Sequence, residues 1–422
     1  MTITTSPEHT ILLAKTRHIE ELQRQSSCLT FVEHLGRMIH QLQAERGASC
    51  LYLAAHGQQF AEERADLIIR NLALESGIRQ LVQQHLQDHV QADARQLTLI
   101  SWSLLGLSQL TALRHQITLQ QISFAACLES YSRLIDSLIA LIFAITDNPV
   151  NSQLSTCLFA FYNLVQAKEF AGQERAIGSY LFGSGKLQPN HRQTLLELVS
   201  RQAQHIDVFC QFGGEDLRAA INDFQTSATS RQQQQCRDKL ISAQEQQPLK
   251  PDDAAIWFAL CSQQQENLWR LQCQVIQKMR EMLTRCLHNA GEDLRKTREY
   301  LQVMASKTSA PLDSTFFNLA IPVEDCLRFH THDSVQGYPL ASMISLLQQQ
   351  SCQIAEMESE LSSTKKVLAE RKQIERAKGL LMSQNNLTEM EAYKALRSSA
   401  MAQNRKIIDV AENLLAQQKQ AC

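Results

Sequence analysis

The sequence predicts an all-α protein: two packed helical bundles of the four-helix type, a long coiled-coil-like connecting helix and a C-terminal three-helix bundle. Three observations carry that expectation. Only 14 Gly and 8 Pro occur among 422 residues, and no proline lies between Pro7 and Pro149, where a sheet protein would need frequent tight turns. Apolar residues recur at three- and four-residue spacing through most of the chain. Polar breaks such as Asp147-Asn148-Pro149, Gly183-Ser184-Gly185 and Pro248-Leu249-Lys250-Pro251 cut that pattern into segments of bundle-helix length.

Taken in order, the periodic segments run from Phe31 to Leu53, Leu67 to His85, Leu97 to Leu113, Ile122 to Ile145, Leu154 to Leu181 and His191 to Phe212. Shorter ones follow from Glu215 to Phe224 and Cys236 to Ala243, and a long one from Ala254 to Leu283. Residues 30–305 are expected to form one helical domain. Residues 306–338, with two prolines and several Ser and Thr, form a connector that ends at Pro339. Over 339–367 a long helix is expected, because Leu347, Ile354, Leu361 and Leu368 repeat every seven residues and Met357 joins the same seam. That seam suits either a homodimer or packing on the body of the protein. Residues 368–422 form the last unit. Its first helix ends at Asn385-Asn386, Thr388 and Glu391 make a capping box for a second, and a third from about Asn404 to Gln417 buries Ile407, Val410, Ala411, Leu414 and Leu415.

Charge separates the last unit from the rest. Residues 365–422 hold 11 Lys and Arg against 6 Asp and Glu, or +5, whereas the whole chain is −2, so the first 364 residues carry −7. A basic end on an acidic body suits a polyanionic partner. The twelve cysteines are scattered without a Cys-x-x-Cys pair, and are expected as small buried thiols rather than metal ligands or disulfides. The longest apolar run, Leu138 to Ile145, is far short of the roughly 18 residues a membrane span requires, and no signal peptide is legible, so a cytoplasmic protein without a membrane partner is expected.

One short motif occurs twice, as Glu45-Arg46-Gly47-Ala48-Ser49 and Glu174-Arg175-Ala176-Ile177-Gly178-Ser179. Each copy sets an arginine among small residues on a helix. Two guanidinium forks facing each other would suit a small planar anion. Ser49 follows Arg46 by three residues and Ser179 follows Arg175 by four, so each hydroxyl shares a helix face with its arginine. Gly47 and Gly178 would let helices approach. The competing role for either arginine is an internal ion pair, for instance with Glu169.

The run Leu368-Ala369-Glu370-Arg371-Lys372-Gln373-Ile374-Glu375-Arg376-Ala377-Lys378-Gly379-Leu380-Leu381-Met382, followed by Glu391-Ala392-Tyr393, Leu396-Arg397, Ala400-Met401 and Asn404-Arg405, resembles the ANTAR domain. That resemblance implies a three-helix RNA-binding module acting in transcription antitermination on paired stem-loops of a leader RNA. Arg371, Arg376, Ala377, Lys378, Gly379, Arg397, Arg405 and Lys406 are then the candidate RNA-contacting residues. Arg371 and Lys378 lie seven apart on one helix face, and the alternative for Ala377 and Gly379 is close helix packing.

His40-Gln41-Leu42-Gln43-Ala44-Glu45-Arg46-Gly47-Ala48-Ser49 with Tyr52-Leu53, then Lys168-Glu169, Gly172 and Glu174-Arg175-Ala176, and Pro251-Asp252-Asp253 before Trp257-Phe258, resemble the NIT domain. That resemblance implies a helical receptor for nitrate or nitrite, with Arg46 and Arg175 as its anion-binding arginines. Together the two domains resemble the nitrate-responsive antiterminators of nitrate-assimilation genes, which reach RNA polymerase only through the transcript.

No nucleophile, base and orienting acid stand at catalytic spacing, so no enzyme and no cofactor is expected beyond nitrate or nitrite as effector. Phe182-Gly183-Ser184-Gly185-Lys186-Leu187 lacks the first glycine and the Ser or Thr of a phosphate loop. His85 and His89, four apart on a polar helix, are expected on a solvated face, and no metal is expected at Cys326, His330 and His332. The alternatives are a helical signalling adaptor or scaffold working through its coiled coil, or a DNA-binding regulator.

Overall fold

A computed structural model describes residues 6–88, 94–145, 152–184, 189–242, 252–305, 373, 374, 377, 381, 389–402 and 405–421. All regular structure among them is helical. Eleven helices are delimited: α1 Pro7–Ala54, α2 Ala61–Asp88, α3 Ala94–Thr118, α4 Phe124–Ile145, α5 Ser152–Ser184, α6 Pro189–Phe212, α7 Glu215–Gln225, α8 Ala228–Ser242, α9 Asp252–Ala305, α10 Glu389–Ala402 and α11 Ile407–Ala421. None of the described helices is long and apolar enough to cross a membrane.

The two ends of the expected helical domain are longer than the apolar pattern shows. α1 starts at Pro7, well ahead of Phe31, because its beginning is written in capping residues rather than in an apolar stripe. The His9 amide donates to Ser6 Oγ at 3.3 Å, Pro7 supplies its fixed φ at the first helical position, and Glu8 faces the positive end of the dipole. α9 likewise runs past Leu283 to Ala305 through a polar stretch in which Arg295 bridges Glu292 and Glu299 on one exposed face.

The chain divides into two units: Met1–Ser27, Pro149–Ser155 and Arg280–Leu368 in one, Cys28–Asn148, Thr156–Met279 and Ala369–Cys422 in the other. In the first, Lys15 pairs with Asp293, tying the start of α1 to the far half of α9. In the second, α3 packs along α4 and against α2, α6 packs on α7 and α8, and α10 lies against both α11 and α6. α5, α6, α8 and α9 share a core around the fully buried Trp257, with Phe182, Leu195, Leu240 and Cys261 among its members.

Near the C-terminus Ala377 and Leu381, one helical turn apart, bury against Leu396 and Ala400 of α10 and Val410 and Ala411 of α11. Ile407, Leu414 and Leu415 flank this core, as the spacing predicted. The connector 306–338 and the helix expected over 339–367, with Leu347, Ile354, Leu361 and, at its end, Leu368, lie outside the described residues. His85 corrects an expectation: it is buried, its ring 5.3 Å from that of Phe31, because α2 turns that face inward despite its polar composition. His89, Cys326, His330 and His332 are outside the described residues. Six of the nine described cysteines are buried, but Cys273 is exposed and Cys210 and Cys286 are intermediate.

Candidate functional site

The two copies of the Glu-Arg motif face each other, one near the end of α1 and the other in α5. In each copy the glutamate and the arginine do different work, because neighbours in a helix point about 100° apart. The glutamates anchor their helices. Glu45 accepts two bonds from Arg114 of α3, at 2.8 and 2.9 Å, and further bonds from Tyr131 of α4 and Asn71 of α2, so four helices are tied at one carboxylate. Burial pushes Glu45 up, but the Arg114 bonds, with those of Tyr131 and Asn71, outweigh it and hold the carboxyl below its ordinary value. Glu174 repeats the arrangement, taking both oxygens' bonds from Arg237 of α8 at 2.6 and 3.0 Å.

The arginines turn toward each other's helices. Arg46, fully buried, bonds Glu169 of α5 through Nη1 and Nη2, and Ser132 of α4 through Nη1 at 2.8 Å. Arg175 donates from Nη2 to the main-chain carbonyl of Gln43 at 2.8 Å and from Nη1 to Ser262 Oγ at 3.1 Å, with Phe258 beneath its guanidinium. Glycine makes both approaches possible. A Cβ at Gly47 would lie 2.8 Å from Arg175 Nη2, and a Cβ at Gly172 would lie 2.7 Å from Arg46 Nη2. Gly178 likewise permits a close approach, here of α9, since the Trp257 ring occupies the place of its Cβ.

The site is rich in positive charge. Arg175 has no acidic partner in the described ion pairs, and burial pushes its guanidinium down to about 10; Cys261 opposes this, and the Arg46 charge adds to it. Lys168 is also buried, its Nζ bonded to Gln43 Oε1 and 3.0 Å from His40 Nδ1, with the Trp269 ring 5.9 Å away. Burial, reinforced by Arg175 and opposed by Glu169, pushes Lys168 down to about 7. His40 stacks on Trp269 at 4.6 Å and is pushed down to about 2, by burial first and then by Lys168 and Arg175, so it stays neutral. Glu169 is the carboxylate bonded to Arg46, and Gln43 and Gln173 complete its set of donors, each at 2.8 Å; Glu266 stands at the edge of the cluster, 4.0 Å from His40 Nε2.

The cluster fits a small anion by its donors. Arg46 Nε and Arg175 Nε are both buried and have no hydrogen-bond partner, in an interior where such groups are nearly always satisfied. The serines of the motif are placed differently from the arginines. Ser49 Oγ accepts from Arg64 at 3.3 Å, and Ser179 donates to the carbonyl of Arg175 in its own helix at 2.7 Å. Gln43, Ser132, Lys168, Gln173 and Ser262 complete the cluster. Of these, Gln43 and Lys168, with Glu169, carried a signal in the sequence through their place in the family motif, whereas Ser132, Gln173 and Ser262 carried none.

In the tail, Arg397, Arg405 and Lys406 are exposed. Ala377 is not at the surface where it was expected: it is fully buried, so its small side chain serves close packing of the three helices. Arg371, Arg376, Lys378 and Gly379 lie outside the described residues.

Fold and site together define an all-helical protein with a buried, cation-rich side-chain cluster in its body and a small basic helical unit at its end. A family model for nitrate and nitrite sensing, NIT, matches residues 37–280, more than half of the chain, and the chain belongs to that family. The ANTAR domain model matches residues 363–415. The nitrate regulatory protein of Klebsiella oxytoca is 26% identical over 417 residues, covering 97% of this chain and 95% of that protein. A solved structure of the NasR transcription antiterminator matches with a TM-score of 0.56 at 24% identity, covering 97% of this chain and 98% of that one, which shows a common fold.

Proposed function

We propose that this protein senses nitrate or nitrite between α1 and α5 and, through its ANTAR unit, binds leader RNA stem-loops to promote transcription antitermination. The observation that carries the sensing half is the convergence of Arg46 and Arg175, each packed on a glycine of the opposite helix and each with an unpartnered Nε. The effector carries one negative charge and no donors, so it needs only donors and positive charge from its receptor. With a ceiling of about 1.5 kcal/mol per heavy atom, four atoms give roughly 6 kcal/mol, or a Kd in the tens of micromolar.

Output rests on the tail. Exposed Arg397, Arg405 and Lys406 supply cations for phosphates, while the buried alanines and leucines only hold the three helices together. α6 shares the Trp257 core with α5 and also lies against α10, so a shift of α5 on anion binding has a packed route to the tail. A homodimer through the 339–367 seam would present two such units to paired stem-loops.

Calorimetric titration of nitrate into the intact protein, and into Arg46→Ala and Arg175→Ala, tests the sensor. Loss of binding in both variants is expected, and unchanged affinity in both would remove the assignment. For the output, a two-stem-loop RNA should bind more tightly than duplex DNA of equal length at one salt concentration, and Lys378→Ala should weaken it.

A further inference from the structure

Glu169 holds Arg46 in the internal ion pair that the sequence offered as the alternative to a bound anion, yet the arginine keeps donors for one. The way it is bonded explains this. A guanidinium has five N–H groups. Glu169 takes one each from Arg46 Nη1 and Nη2, and Ser132 takes the second from Nη1. What remains on Arg46 is the edge formed by Nε and the second Nη2 hydrogen, and Nε is buried without a partner. Arg175 likewise keeps Nε unpartnered, with one bond each from Nη1 and Nη2. Glu169 therefore fills the end of the Arg46 fork and leaves its side edge to donate, while Gln43 and Gln173 fix the carboxylate from two further directions.

Charge follows from the same contacts. Among the buried groups two arginines face one carboxylate, which leaves a single positive charge where water is excluded, Arg46 and Glu169 both being fully buried. Asp136, one turn beyond Ser132 on α4, also interacts with both but is exposed at the surface, so solvent screens its charge. Lys168 adds little above neutral pH, where it gives up its proton. A monovalent anion brings the buried cluster to neutrality. A dianion would leave one buried charge uncompensated, which is costly in such surroundings. We propose that Glu169 sets the charge of the site and so restricts it to monovalent anions, while its grip on the end of the fork turns the remaining edge of Arg46 toward them.

This inference rests on the arginine pair being the anion site. The test is competition calorimetry at about pH 8, with nitrate as the reporter and sulfate or nitrite as competitor, on the intact wild-type protein and on Glu169→Gln and Glu169→Asp. Wild type should resist sulfate, Glu169→Asp should bind nitrate more weakly yet keep that discrimination, and Glu169→Gln should lose at least about tenfold of it, as expected for an added buried charge. Displacement of nitrate by sulfate as readily as by nitrite in wild type overturns the inference without any variant. So does undiminished discrimination in a folded Glu169→Gln protein. Wild type that binds neither nitrate nor nitrite sinks the anion site itself, a distinct outcome that takes this inference with it.

Discussion

Arg175 Nη2 donates to the main-chain carbonyl of Gln43 at 2.8 Å, a carbonyl that already belongs to the hydrogen-bond ladder of α1. In a helix the carbonyl of residue 43 points toward residue 47, so a side chain at 47 would stand between it and any outside donor. Gly47 removes that obstacle, and the guanidinium settles where a Cβ would be.

Gly47→Ala should therefore separate helix stability from anion binding. Alanine favours the helix by about 1 kcal/mol over glycine, but its methyl meets a guanidinium that is itself buried and cannot swing into solvent. Displacing a charged hydrogen bond of about 1.5–3 kcal/mol should weaken nitrate binding by at least about tenfold. Titration calorimetry beside thermal melting gives both quantities, and unchanged affinity would contradict the close approach.

The two arginines should differ in what they do for stability even though both are needed for the anion. Arg46→Ala strands Glu169 as a buried charge and should cost about 3–5 kcal/mol. Arg175→Ala removes a cation that burial and the Arg46 charge already disfavour, so the loss should stay near about 1–3 kcal/mol from hydrogen bonds and packing on Phe258. Denaturant unfolding of the two variants checks the order; the reverse order would contradict the Arg46–Glu169 pair as the stronger tie.

Much of this was legible beforehand, and what was missed has a common cause. Helices α2 to α9 declare themselves by apolar spacing because one face of each is buried. The start of α1 and the end of α9 do not, since Ser6, Pro7 and the Arg295 pairs stabilise them locally. The repeated motif pointed to Arg46 and Arg175, but a sequence cannot say which side each turns. Glu45 and Glu174 cannot face their adjacent arginines at one-residue spacing, but their actual partners, Arg114 and Arg237, lie on other helices that the sequence does not point to. Ser49 and Ser179 share a face with their arginines, yet Ser179 spends its proton on its own helix. Gln43 stands in the family motif, but nothing in its spacing shows that its main chain, Oε1 and Nε2 meet Arg175, Lys168 and Glu169 in turn.

Lys168 gives the sensor a pH dependence. Its Nζ faces His40, Gln43 and Trp269, with Arg46, Arg175, Glu169 and Glu266 contributing charge, and its pKa lies near 7. As pH falls through 7 the site gains a positive charge, so nitrate affinity should rise between about pH 8 and pH 6. Lys168→Met should remove the part of that rise centred near 7, leaving the part from Asp136, which partial desolvation and then the Glu169 charge push up to about 6. Stability moves the other way. The unfolded lysine keeps its proton up to about 10.4, so between about 7 and 10.4 the unfolded chain binds more protons and this residue's contribution improves with rising pH. Below 7 its penalty is fully present. Affinity that is flat from pH 6 to 8 in wild type would show that the lysine does not titrate there.

The tail offers a test in which packing and RNA contact give opposite signatures. Ala377 is fully buried, so Ala377→Leu should overpack the three-helix core, costing about 1–3 kcal/mol, and abolish RNA binding by disordering the unit. Arg405 and Lys406 are exposed, so Arg405→Ala with Lys406→Ala should leave the helical content intact. If both cations meet phosphates, the double variant should weaken binding to every stem-loop alike and reduce the slope of log affinity against log salt by about 1.4–1.8. Fluorescence anisotropy across a salt series measures that slope. A double variant with the wild-type slope would move the phosphate contacts away from the α10–α11 turn and onto the first helix of the unit.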